Sequence, residues 1–395
     1  MKSLTVVGGV YRELVTWPAW DQIYGSAGRA AVAVNGHVEG VDLHYYSSQE
    51  NLATFDLASE AFGINSHKYP ASQAISFSYT HCLSTPTISP PLARIQQNSA
   101  ISVTGDRVLR FGILEGTAIV DADYCVYDPQ SPITPEPFGA NGSRARHLAI
   151  VCNRTELAAL TGESDVSIAA SVLLEDAEVV VVKSGAAGAF VYDKAGSHSV
   201  PAFQSEAVWT VGSGDVFAAI FAAYWAVHGL PPSEAALLAS KAVASYAGTM
   251  SLPTPSKADL VSSELTPVTS KPAKVYLASP FFTISQRWLV DEARTHLKEM
   301  GLAVFSPLHD IGPGPAEKVA PADLLAMNDC TIMFALIDGL DSGTIFEIGY
   351  ARAKGKKVYA LAQATGEEDL KMIVGSGCKV FSDYVTAIYQ TAWQS

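Results

Sequence analysis

Asp341-Ser342-Gly343-Thr344-Ile345-Phe346-Glu347-Ile348-Gly349-Tyr350-Ala351 leads from a loop into an apolar helical run. It carries two carboxylates, Asp341 in the loop and Glu347 at the start of the run, with Gly343 in the turn between them. A strand-like stretch, Thr331 to Ile337, comes immediately before. Strand, loop and helix in that order are the repeating unit of a parallel α/β sheet, whose ligand sites lie beyond the carboxyl ends of the strands. Paired acids at such a place fit glycosidic chemistry. One carboxylate attacks an anomeric carbon, and another acidic group handles the proton or the leaving group. The same acids would equally cap a helix and favour its positive N-terminus.

Outward from this stretch the alternation continues. Val275 to Ala278, Ala303 to Ser306 and Lys357 to Ala362 read as further strands, and Ser285 to Met300, Ala322 to Met327 and Phe346 to Ala353 as helices. Together they predict a small parallel sheet with crossover helices over 273–395. Residues 262–272 are rich in Pro, Ser and Thr and keep no apolar period, which predicts a linker. Residues 1–261 are also α/β but richer in strands. Val41 to Tyr46 and Ile75 to Thr80 read as strands, and Val179 to Val182 as one buried on both faces. The chain shows no internal repeat.

The segment Lys274-Val275-Tyr276-Leu277-Ala278-Ser279-Pro280-Phe281-Phe282, then Pro307, Asp323 and the Asp341–Ala351 signature, follow in an order that resembles the nucleoside 2-deoxyribosyltransferase family. The resemblance covers about residues 273 to 395 and implies a flavodoxin-like parallel-sheet domain. It implies Glu347 as the nucleophile that takes the deoxyribosyl group, Tyr276 as the group that orients it, and Asp323 and Asp341 as contacts to base and sugar. Ser279, Phe281 and Gly343 would line the substrate site, no cofactor would be needed, and copies would assemble into a homo-oligomer.

A second set of motifs lies upstream. Trp209-Thr210-Val211-Gly212-Ser213-Gly214-Asp215 runs into the longest apolar stretch, Val216 to Val227. Gly212 and Gly214 let backbone N–H groups approach an anion at a helix N-terminus. Asp215 is placed to take a proton from a hydroxyl attacking a phosphoryl group. A Gly-x-Gly alone is often only a tight turn. Together with Tyr127-Asp128-Pro129, Asn153-Arg154-Thr155-Glu156 and Lys183-Ser184-Gly185-Ala186-Ala187-Gly188, the segment resembles the ribokinase-like (phosphofructokinase B) sugar kinases over about residues 3 to 250. That implies a ribokinase-like α/β sandwich using ATP and Mg²⁺. Gly212, Ser213, Gly214, Asn153, Glu156, Lys183, Gly185 and Gly188 would lie on the nucleotide side, with Glu156 toward the metal. The sugar side departs from the family: Trp209 replaces the first Asp of the signature, Arg29 stands in place of a sugar-binding Asn, and Glu13 is the nearest acid to an early sugar-binding Asp. Arg29 could hold a phosphate already on the substrate.

Composition bounds the partners. The chain has 395 residues, 48% apolar and 16% charged, with net charge −13. That length predicts two or three domains, and the acidic balance argues against a nucleic-acid polymer as partner but not against nucleosides, nucleotides or pentoses. Val216 to Val227 is too short to cross a membrane, and the N-terminus reads as a first strand, not a signal peptide. Five scattered cysteines point to a reducing cytoplasm, and the nine histidines show no zinc spacing. The expectation is a bifunctional enzyme of nucleoside metabolism. The alternative is a glycosidase or transferase whose kinase-like half only senses a nucleotide or serves as a scaffold.

Overall fold

The computed structural model describes residues 2–48, 52–131, 134–269 and 272–394. The chain separates into two compact units, Met1–Pro267 and Val268–Ser395.

The first unit contains strands β1 (Ser3–Val7), β2 (Arg12–Val15), β3 (Trp20–Ile23), β4 (Gly40–Ser47), β5 (Asn65–Pro70), β6 (Ser76–Tyr79), β7 (Thr87–Ser89), β8 (Ile101–Phe111), β9 (Ala118–Asp128), β10 (Arg144–Asn153), β11 (Val179–Lys183), β12 (Ala189–Asp193) and β13 (Gly196–Val200). Nine of them form one sheet in the order β13-β12-β11-β10-β9-β8-β1-β4-β5. From β5 to β11 the pairing is parallel, and β12 and β13 close one edge as an antiparallel hairpin. The β-branched run of β11 is buried along Val179–Val182, as a doubly covered parallel strand requires. β2, β3, β6 and β7 make a separate four-stranded sheet, order β3-β2-β6-β7. The apolar stretch from Val216 forms the buried helix Ser213–Ala222, which runs on into a π-helical turn, Ala223–Val227. The long strands β8, β9 and β10 were not anticipated. Their first halves alternate exposed and buried residues and carry charges such as Asp106, Asp121 and Arg144, which mask the apolar signal.

The second unit holds β14 (Lys274–Ala278), β15 (Ala303–Phe305), β16 (Ile332–Leu336), β17 (Lys357–Leu361) and β18 (Lys379–Phe381), all parallel, in the order β15-β14-β16-β17-β18. Numbered within the unit this is 2-1-3-4-5, the flavodoxin-like winding. It reverses direction at the first and third strands and opens a crevice there. The helix Ala316–Asp329 begins earlier than expected and runs through Pro321. The helices Glu367–Gly375 and Tyr384–Trp393 and strand β18 had not been read from the sequence.

The expected linker at 262–272 starts as ordered structure. Pro267 bridges to Phe203, and Thr266 accepts a backbone hydrogen bond from Gln204 at 2.9 Å. Residues 270 and 271 of that stretch lie outside the described residues.

Candidate active sites

In the second unit the crevice between β14 and β16 receives Tyr276 from β14 and Glu347 from the helix Ser342–Ala353, which follows β16. The helix begins one turn before Glu347 because Asp341 is its N-cap. Asp341 Oδ2 accepts from the Thr344 backbone N–H at 2.8 Å and from the Thr344 hydroxyl at 3.0 Å. Asp341 therefore fixes the helix start, and that start sets where Glu347 points. Leu340 just before it sits at φ 51, a backbone conformation that bulky residues seldom adopt.

The Tyr276 hydroxyl donates to Glu347 Oε1 at 2.6 Å. Burial pushes the Glu347 carboxyl up to about 7. The Tyr276 hydrogen bond pulls it back, and the charges of Asp323 and Asp341 add to the rise. The Tyr276 hydroxyl is itself raised, by burial first and by Glu347 second, so it stays a donor. Tyr276 stacks on Phe305 with ring centroids 5.5 Å apart, which holds the ring in place. Asp323, on Ala316–Asp329, has a buried Oδ1 with no hydrogen-bond partner, and burial raises its carboxyl. Ser279 is buried just past the end of β14, and Phe281 lies two residues on. Gly343 is in the first helical turn, where a Cβ would lie 3.1 Å from Asp341 Oδ2.

In the first unit, three neighbouring parallel strands end in polar residues: β9 at Asp128, β10 at Asn153 and β11 at Lys183, with Asn153 in register with Lys183. Lys183 Nζ donates to Asp128 Oδ2. Burial raises the Asp128 carboxyl against the pull of Lys183, and its Oδ1 is buried without a partner. Asn153 and Glu156 form a reciprocal capping box, Glu156 N–H to Asn153 Oδ1 at 2.9 Å and Asn153 N–H to Glu156 Oε2 at 2.8 Å. Gly185 and Gly188 shape the turn after β11, and a Cβ at Gly188 would lie 2.1 Å from the Val200 carbonyl oxygen.

Facing these strand ends is the N-terminus of the helix Ser213–Ala222. Its N-cap, Gly212, has φ 76, and Asp215 sits in its first turn. A Cβ at Gly214 would come 3.3 Å from Lys183 Nζ, so the ammonium and the helix N-terminus converge. A glycine cradle, a helix N-terminus and a lysine fit a phosphate, although the Ser213 N–H is itself taken by the Thr210 carbonyl at 3.1 Å; the unpartnered Asp128 oxygen beside Glu156 fits a hard cation.

Arg29 lies elsewhere than expected. Its side chain is 0% exposed and its guanidinium is closed off from a substrate phosphate. Nη1 donates to Asp215 Oδ2 at 2.9 Å and to Glu13 Oε1 at 3.0 Å, Nη2 to Glu13 Oε2, and Nε to the Tyr246 hydroxyl at 3.1 Å. An incoming phosphate would have to break a buried pairing with two carboxylates. A Cβ at Gly212 would meet the guanidinium at 2.1 Å from Nε. Glu13 belongs to β2, so the ion triad links the four-stranded sheet to the helix that carries Asp215. Sequence reading missed Gln130, whose amide Nε2 donates to Asp215 Oδ1 at 3.1 Å, and Tyr246. Gln130 follows the Asp128-Pro129 strand end directly and was within reach; Tyr246 had no local signal.

Comparison with known proteins agrees with both halves. Residues 275–380 match the nucleoside 2-deoxyribosyltransferase family, and residues 138–256 match the pfkB family of carbohydrate kinases. The chain is a fusion of these two kinds of domain. One curated relative, an ATP-dependent ribose-1-phosphate kinase of Halopiger xanaduensis, is 30% identical over 136 residues, 34% of this chain. The match spans 44% of that relative's length. Among solved structures, a putative ribokinase from Agrobacterium tumefaciens superposes with TM-score 0.51 at 17% identity, over 66% of this chain and 96% of its own. A ribokinase from Thermotoga maritima gives 0.46 at 19% identity, over 65% and 97%. The likeness to the Agrobacterium tumefaciens structure shows a ribokinase-like fold for the first unit, and the second is a separate all-parallel domain. Among the described residues no helix is long and apolar enough to cross a membrane.

Proposed function

We propose that the chain is a bifunctional enzyme that cleaves or transfers at the N-glycosidic bond of a (deoxy)nucleoside or its monophosphate and phosphorylates a sugar or nucleoside hydroxyl. The observation that carries the first activity is the 2.6 Å hydrogen bond from Tyr276 to a carboxyl raised to about 7 at the switch point of the sheet. A carboxylate there attacks the anomeric carbon, the C–N bond breaks toward the base, and the glycosyl-enzyme ester is resolved by water or a second base. Tyr276 keeps Glu347 aimed while it is ionised. Asp323, with an open oxygen, contacts the base, and Asp341 holds the helix start. Ser279, Phe281 and Gly343 border the same crevice.

In the first unit, ATP when bound supplies the phosphoryl group, with Mg²⁺ balancing its charge. The N–H groups at Gly212 and Gly214, on either side of Ser213, together with Lys183, would receive the transferring phosphate, and Asp215 takes the acceptor proton. Asn153 and Glu156 serve the phosphate and metal side, with Gly185 and Gly188 shaping the nucleotide turn. The reading puts both activities in a reducing cytoplasm, which five buried cysteines outside any disulfide support. It also includes self-assembly of the second unit, supported by large apolar side chains left exposed, Phe346 at 62% and Ile284 at 88% among them.

The competing reading, a kinase-like half without turnover, draws support from Asp215 having both oxygens engaged, by Arg29 and Gln130. Incubation with a panel of nucleosides, nucleotides and pentoses, with and without Mg-ATP, tests both. Free base requires the second unit's reading, and acceptor-dependent ADP requires the first's. Absence of ADP with every acceptor sinks the kinase.

A further inference from the structure

The two oxygens of Asp215 are held in different ways. Oδ2 faces Arg29, inside a fully buried network with Glu13 and Tyr246. Oδ1 accepts from the uncharged amide of Gln130, at 3.1 Å. A carboxylate can only accept, so the amide presents its N–H₂ to it. Removing Arg29 from Oδ2 would strand buried charges, whereas removing Gln130 exchanges one neutral hydrogen bond for another.

Gln130 is also put there by the backbone. It has φ 55, in the left-handed region that non-glycine residues avoid, and it directly follows Asp128-Pro129 at the end of β9. The turn is pressed against the neighbouring strand end: Gly112 N–H donates to the Asp128 carbonyl at 2.9 Å, and a Cβ at Gly112 would lie 2.0 Å from the Pro129 oxygen. Strained backbone held by tight packing is characteristic of residues with a functional task.

We infer that Asp215 Oδ1 is the oxygen that receives the acceptor proton, and that Gln130 is a positioning residue that occupies the acceptor hydroxyl's place until the acceptor displaces it. This rests on the kinase reading above. In the step, the acceptor O–H displaces the amide and gives its proton to Oδ1. Its oxygen bonds to the γ-phosphorus as the bond to ADP breaks. Arg29 and Glu13 stay paired throughout and keep Oδ2 fixed. The charged groups around Asp215 are Arg29, Glu13, Lys183 and Asp128, with the Tyr79 hydroxyl also near.

The test is steady-state ADP formation by the full chain with Mg-ATP and, separately, ribose 1-phosphate and ribose. Gln130→Met keeps the length and removes the donor. It should lower the acceptor KM about threefold to tenfold, the worth of one neutral hydrogen bond, with kcat within about twofold. Gln130→Asn tolerates the positive φ but is too short to reach, and should match Gln130→Met. Gln130→Glu sets a second carboxylate beside Asp215 and should move the acid limb of kcat/KM upward by about one pH unit. A KM that rises or stays put in both neutral variants, or an acid limb unmoved in Gln130→Glu, overturns the inference while leaving the kinase intact. Wild-type protein that forms no ADP with these two or with any other pentose, nucleoside or nucleotide acceptor overturns it together with the kinase reading.

Discussion

Glu347 shows what one residue's surroundings dictate. Its carboxyl is lifted to about 7 mainly by burial, yet the proposed nucleophile is the ionised form. Base release should therefore fall about tenfold per pH unit below about pH 7 and level off above it, read from a pH–rate profile of free base. A limb near the ordinary glutamate value of about 4.3 would contradict this. The acid itself was legible in the sequence, since it sits in an ordered motif. Its raised pKa was not, because that depends on burial by elements distant in sequence and on the charge of Asp323 arriving from another helix. Arg29 is the opposite case. Its position was marked, but its partners could not be read, because Glu13 and Asp215 meet it only in the folded chain. Replacing it as Arg29→Met leaves two buried carboxylates without a counter-charge. Unfolding in urea should show a loss of about 3–5 kcal/mol; a change under 1 kcal/mol would mean the triad is solvated.

Single turns decide both sites at the scale of elements. The helix that carries Glu347 starts at its Asp341 cap, and the helix that carries Asp215 starts at Gly212 in the left-handed conformation. The glycine was legible as a turn, but the reason no other residue fits was not: the space a Cβ would take is filled by Arg29. Gly212→Ala should lose about 1–3 kcal/mol of stability from strain and overlap, and acceptor-dependent ADP formation should go with it. Urea titration and a coupled ADP assay read the two effects, and a stable, active variant would refute the packing argument. Strands with continuous apolar runs, β11 and β16, were readable because burial on both faces leaves no ambiguity. β8 and β9 were not, since half of each faces solvent with charged residues.

Over the whole molecule, the fold class and the order of the two halves followed from motif order, while strand order within each sheet came only with the structure. The two proposed activities would use separate sheets, so they should separate genetically. Asp215→Asn should reduce ADP formation by a factor of about 10² to 10⁴ and leave base release unchanged. Glu347→Gln should do the reverse, because an amide cannot attack the anomeric carbon. Parallel assays of both variants decide this. Loss of both activities in either one would mean that the units are functionally coupled.

The elevated carboxyl of Glu347 also makes this residue a thermal liability. A folded state that binds this proton more tightly than the unfolded chain keeps its full advantage below about pH 4.5. It loses that advantage as pH rises toward about 7, and above that the folded protein carries a half-buried charge that the Tyr276 hydrogen bond offsets only in part. On this account Glu347→Gln should melt higher than the native protein at pH 8, by an amount on the order of 2 kcal/mol, and should show little difference at pH 4.5. Heat selection in alkaline buffer would then enrich chains that have given up glycosidic chemistry, and the same selection in mild acid would not distinguish them.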